Sequence, residues 1–162
     1  MSAIDDLVWK SRLHSLGSGG AGHGAPARRV AIVACMDARL CLEKLLDLRP
    51  GDVHVMRNAG GIVTDDMLRS LTLSQRLLGT SEVMLVHHTD CGMATFRDDE
   101  LAARIAEEVG SPPPFRLGAF RDVEEDLRSS MAAVRACPYL PHRDEVRGFL
   151  YEVETGDLRE VS

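Results

Sequence analysis

Cys35, Asp37 and Arg39 are spaced by two in the stretch VACMDARL, directly after the apolar run VAIVA. Further along, VHHTDCGM places His88 three residues before Cys91. Two thiolates and one imidazole suit Zn²⁺. Three protein ligands on a tetrahedral ion leave one position open, which marks a catalytic site rather than a structural one. Zinc there would acidify a water and provide hydroxide near neutral pH. Asp37 can accept a hydrogen bond from that water, or ligate the metal itself. Arg39 can hold Asp37 in a bidentate, charge-assisted pair. Taken singly the parts are weak. A Cys at a strand end is more often a small buried hydrophobe, His-x-x-Cys recurs by chance, and an Asp and Arg two apart are usually a solvated pair. Their joint placement carries the reading.

That placement depends on the elements around them. VAIVA, 30–34, reads as a strand buried on both faces, as parallel strands are. Residues 40–48 have helical spacing, ended by Pro50-Gly51, and 52–58 read as a second strand. Thr64 caps a helix that Gly79 stops, with Asp65 and Asp66 in its first turn. EVMLVHH, 82–88, is a third strand, and helices follow over 98–109 and 121–136. Residues 147–161 form a terminal strand or hairpin around Thr155-Gly156. Alternating strands and helices predict a single α/β domain with a mostly parallel central sheet of order 2-1-3-4, flanking helices and a C-terminal edge strand or hairpin. In that order the first and third strands are neighbours, and ligands bind beyond strand ends where the order reverses. Cys35, His88 and Cys91 would converge there. His87, beside His88 in a strand, points to the opposite face and reads as packing or support for the site. Asp90 reads as a cap for the helix that Gly92 and Met93 begin. Cys41 and Cys137 read as structural, and His14, His23, His54 and His142 show no constellation.

Composition narrows the classes. The chain has 162 residues, 44% apolar and 27% charged, with a net charge of −6. That suits one globular domain and disfavours nucleic acid or an anionic membrane as partner. No stretch approaches a membrane span, and the polar start lacks the pattern of a secretory signal, so a cytoplasmic location is expected. Four cysteines without a C-x-x-C pair give no support for a thioredoxin-like site. The Gly-rich stretch 15–26 reads as a linker. Residues 1–27 therefore form an arm with its linker, and 28–162 the zinc-binding domain.

The motifs resemble those of the β-class carbonic anhydrases, in particular the small bacterial, mycobacterial-type branch. C-x-D-x-R is present as Cys35 to Arg39, R-N-A-G as Arg57-Asn58-Ala59-Gly60, and H-x-x-C-G as His88 to Gly92. Their order and separation agree from about residue 28 to 97. The resemblance implies one zinc per chain on Cys35, His88 and Cys91, an Asp37–Arg39 dyad beside it, and Asn58, Ala59, Gly60 and Gly92 as pocket lining. It implies reversible hydration of CO2 to bicarbonate and a homodimer or higher even oligomer, with the N-terminal arm packing on the partner subunit. Two departures stand out. His87 replaces the glycine of the common G-H-S-x-C-G form, and the glutamine and aromatic residues that line the pocket of plant-type members are not found. The H-H-T-D-C-G form is also similar to carbonyl sulfide hydrolase, which has the same zinc ligands. A non-catalytic zinc protein on this scaffold and a cysteine-nucleophile enzyme using Cys91 with His88 are the rivals from other classes. Asp37 with Arg39 weighs against the first, since a structural site needs four ligands and no anchored acid.

Overall fold

A computed structural model describes residues 2–14 and 24–162. Helix α1, Ala3–His14, is followed by β1 (Val30–Cys35), the short α2 (Leu42–Leu45), β2 (His54–Asn58), α3 (Asp65–Leu78), β3 (Glu82–His88), α4 (Asp98–Val109), α5 (Val123–Ala136), β4 (Val146–Tyr151) and β5 (Leu158–Val161). The strands form one sheet of order β2-β1-β3-β4-β5. β1 to β4 are parallel and β5 returns antiparallel beside β4. The expected 2-1-3-4 order is the order found, with the C-terminal hairpin completing the edge.

The sheet order follows from where apolar side chains lie. β1 is apolar without alternation because both its faces are covered. Ala31 and Val33 join Leu85, Leu71, Leu127, Met131 and Val134 on one side of the sheet. Ile32 and Ala34 join Val86, Leu40 and Leu42 on the other. Each fully buried Leu or Ile in these layers contributes about 1.5–3 kcal/mol relative to exposure. β2 sits at the edge, and its residues alternate between half-buried and exposed. Gly148 lets α5 lie close on β4: a Cβ there would meet Met131 Sδ at 2.8 Å and Leu127 Cγ at 3.1 Å.

Helix ends follow their caps. The Thr64 side chain accepts from Met67 N, and α3 stops at Gly79 in the left-handed region, at φ 75°. Asp122 accepts from the amides of Glu124 and Glu125 at the start of α5. The helix expected over 40–48 is only Leu42–Leu45, because Asp47 adopts φ +49° and breaks the repeat. Cys137 is buried in the core, whereas Cys41 is exposed just before α2. The Gly-rich linker falls mostly outside the described residues, as does His23. Among the described residues, no helix is long and apolar enough to cross a membrane.

Candidate metal centre

β1 and β3 are hydrogen-bonded neighbours and end side by side. Cys35 is the last residue of β1 and His88 the last of β3. After His88 the chain turns through Asp90, at φ +54°, and brings Cys91 back toward Cys35. Thr89 fixes this turn to β4: its amide donates to Tyr151 O at 3.0 Å, and its hydroxyl accepts from Val153 N at 3.0 Å. On the other side, Gly61 lies against β1. A Cβ at Gly61 would sit 2.7 Å from Cys35 N and 2.9 Å from Ala34 C. Only glycine permits that approach, and its φ of +70° favours glycine as well.

The ligand atoms of Cys35, His88 and Cys91 all lie within 4.8 Å of one another, and all three residues are buried. The two sulfurs are 4.0 Å apart. Two thiolates about 2.3 Å from a tetrahedral zinc ion would be about 3.8 Å apart, so the spacing fits. His88 Nδ1 lies 2.9 Å from Thr89 O, so it donates there. That leaves the lone pair on Nε2, which is buried and has no hydrogen-bond partner among the described residues. An Asp37 carboxylate oxygen stands 3.7 Å from the same Nε2. Two sulfurs and a bare imidazole nitrogen thus face one another beside a carboxylate, and a divalent cation held by the first three satisfies them.

The charges agree with this. Burial pushes the Cys35 thiol up, but the adjacent His88 imidazole and the backbone N–H groups of Asp37 and Gly60 outweigh it and bring it down to about 7. Burial and the neighbouring Cys35 push Cys91 up to about 11. The pair therefore gives up one proton readily and the second reluctantly. A dication lets both thiolates exist together.

Asp37 is fully engaged by Arg39. The Arg39 amide donates to Oδ1 at 2.8 Å, Nε to Oδ1 at 3.0 Å, and Nη2 to Oδ2 at 2.9 Å. These bonds hold the Asp37 carboxyl well below the usual carboxylate range. Arg57 supports the backbone beneath, donating from Nε to Cys35 O at 2.9 Å and from Nη2 to Asp37 O at 2.8 Å.

A model of the carbonic anhydrase family matches residues 30–111. The chain is 43% identical to β-carbonic anhydrase 1 of Mycobacterium tuberculosis, over all of this chain and 99% of that protein. The chain belongs to the β-carbonic anhydrase family. The crystal structure of carbonic anhydrase from Streptococcus mutans superposes on it with a TM-score of 0.92 at 38% identity, covering 100% of this chain and 99% of that one. The carbon disulfide hydrolase of Saccharolobus solfataricus is 37% identical over 82% of this chain and 76% of its own length.

Within this β-carbonic anhydrase the sequence-derived candidates divide. Cys35, His88, Cys91, Asp37 and Arg39 come together. Asn58 donates from Nδ2 to Ile62 O at 2.8 Å, so it shapes the turn over 59–61. A Cβ at Gly60 would meet Met93, Ile62 and Phe120 at 3.1–3.2 Å, whereas one at Gly92 would meet nothing within 4 Å. His87 packs on the opposite face, bonded through Nε2 to Asp126 at 2.8 Å and stacked on Phe120. His54 bridges Ser74 Oγ and Gly24 O, both at 2.8 Å, a contact the sequence did not suggest. Asp90 is no helix cap: the turn over Gly92–Ala94 has no side-chain cap, and Asp90 instead reaches Arg39 at 2.8 Å. Arg57 was legible only as part of R-N-A-G. A groove of about 820 Å³ runs past Thr64, Asp66, Arg116, Asp126 and Ser129, and none of the three candidate metal ligands lines it.

Proposed function

We propose that this protein catalyses the reversible hydration of CO2 to bicarbonate, with one zinc ion per chain held by Cys35, His88 and Cys91. The observation that carries the reading is the bare, buried Nε2 of His88 facing two thiols 4.0 Å apart, with an anchored carboxylate beside them. Zinc, when bound there, supplies a Lewis acid that makes hydroxide available near neutral pH. The chain's own residues do the rest. Cys35 and Cys91 bring two negative charges, and His88 a neutral nitrogen whose orientation Thr89 O fixes. Asp37 accepts a hydrogen bond from the reacting water and aims its lone pair at the CO2 carbon. Arg39 holds Asp37 in that attitude by its two parallel bonds. A carbon–oxygen bond forms, one C=O electron pair moves onto oxygen, and the proton lost from water leaves to solvent. The turns bearing Asn58, Ala59, Gly60 and Gly92 wall the CO2 pocket in this reading.

Two further parts of the reading concern the whole molecule. α1 carries Ile4, Leu7, Val8 and Trp9 at 46–71% exposure, too much apolar surface to leave in water. A second copy of the chain covers that face in a homodimer. The acidic chain works in the cytoplasm in this reading.

Stopped-flow CO2 hydration with parallel metal analysis tests the function. Zinc-dependent hydration is expected, at about one zinc per chain. Hydration that persists after complete zinc removal would overturn it. A second reading, hydrolysis of a sulfur-containing analogue of CO2 such as carbonyl sulfide, draws support from the carbon disulfide hydrolase relative. It would use the same site, and a parallel assay with carbonyl sulfide decides which substrate is turned over faster.

A further inference from the structure

A bidentate pair fixes Asp37 relative to Arg39, but it does not fix the two of them relative to the metal ligands. Both belong to one short loop, and the carboxylate and guanidinium could swing together. The structure shows what prevents this. Arg39 uses one edge for Asp37 and another for Asp90: Nη1 donates to Asp90 Oδ2 at 2.8 Å, and Nη2 to Asp90 O at 3.0 Å. Asp90 lies between His88 and Cys91, in the turn that Thr89 pins to β4. Its left-handed backbone presents its carboxylate and its own carbonyl to the same guanidinium. No other described cation lies within salt-bridge distance of Asp90.

We propose that Asp90 is a positioning residue: it ties Arg39 to the turn carrying His88 and Cys91, and so keeps Asp37 at its working distance from the metal. The inference rests on the proposed role of Asp37 beside zinc. Stability is a poor explanation for the contact. The Asp90 side chain is 79% exposed, and an exposed pair of this kind contributes little to folding. Its effect is geometric. Arg57 already holds the backbone of residues 35 and 37, and Arg39 sets the Asp37 side-chain torsions. Asp90 sets the torsions of Arg39. Without it, Asp37 is free to turn toward His88 Nε2, only 3.7 Å away, and to compete for the position that water needs.

The test uses the zinc-loaded full chain and two variants. Asp90→Gly keeps the backbone carbonyl and accepts φ +54° without strain, so it removes the side chain alone. Asp90→Asn keeps an acceptor oxygen without the charge. Asp90→Gly is expected to retain one zinc per chain while turnover falls about 10-fold, the lower end for a group hydrogen-bonded around a metal site. Its zinc-edge X-ray absorption should show a light-atom ligand that added azide no longer displaces. Asp90→Asn should recover most of the turnover and the azide response. Adding Asp90→Gly to Asp37→Ala should cost nothing further, because the two act through one contact. Native turnover and azide response in Asp90→Gly would overturn the proposal, leaving an exposed ion pair. Loss of zinc in both Asp90 variants would overturn it as well, since Asp90 would then assemble the ligands. Failure of the underlying reading looks different: Asp37→Ala would itself keep native turnover.

Discussion

Gly61 sits on Cys35 so closely that a single added methyl would come within 2.7 Å of the Cys35 amide nitrogen. The turn over 59–61 thereby fixes the strand end that bears the first candidate ligand. Gly61→Ala has no easy escape, because the atoms it meets are backbone and its φ is +70°. We expect a loss of more than about 2 kcal/mol of stability in urea unfolding, together with weaker zinc retention. A variant of unchanged midpoint and full zinc content would show that the turn is free to shift.

Cys35→Ala and Cys91→Ala should each abolish zinc binding and hydration together. The two thiols are buried 4.0 Å apart, and Arg39 holds the neighbouring Asp37 carboxylate back from replacing either. Full zinc occupancy in both variants, measured by atomic emission after dialysis, would sink the ligand assignment.

Activity should rise with pH, with its midpoint above neutrality. Two thiolates cancel the charge of the ion, whereas a three-histidine site keeps it and brings water to a pKa of about 7. Asp37 is not the group that titrates, since Arg39 holds its carboxyl well below the usual range and it stays ionised throughout. A hydration rate already at its plateau at pH 6 would contradict this.

Asp37→Ala should keep zinc and lose turnover by about 10- to 100-fold. Arg39→Ala should also keep zinc but release Asp37 to become a fourth ligand, seen as loss of exchange with added anions in zinc-edge absorption. Should Asp37→Ala shed zinc as readily as Cys35→Ala, Asp37 is a permanent ligand and the site is structural.

Deleting residues 1–24 removes the exposed apolar side chains of α1. It also removes Gly24, whose carbonyl bonds His54 on β2. Light scattering at low protein concentration should report the mass of one truncated chain. A mass of two truncated chains would place the contact elsewhere.

The sheet and the ligands were legible because their signals are local. The unbroken run from Val30 to Cys35 specifies a strand covered on both faces, and Thr64 and Gly79 bound α3 by cap chemistry. His88 and Cys91 are three apart, and the strand order brings Cys35 to them. What was missed depends on contacts between distant segments. Asp90 meets Arg39 across 51 positions, and Arg57 donates to the Cys35 carbonyl on the neighbouring strand and to the Asp37 carbonyl in the loop beyond it. Side chain-to-backbone bonds leave no residue pattern to read. The shortened α2 turns on one backbone torsion, at Asp47, and apolar spacing does not report torsions.

Cys35 and Cys91 lie 56 positions apart in the chain, and one metal ion would tie them together. The ligands meet only in the folded chain, so the free energy of binding the ion adds directly to the free energy of folding. The ion then serves the fold as a cross-link between its two central strands. Stripping it with a chelator should lower the cooperative melting temperature of the whole domain, rather than loosen only the loops around the site.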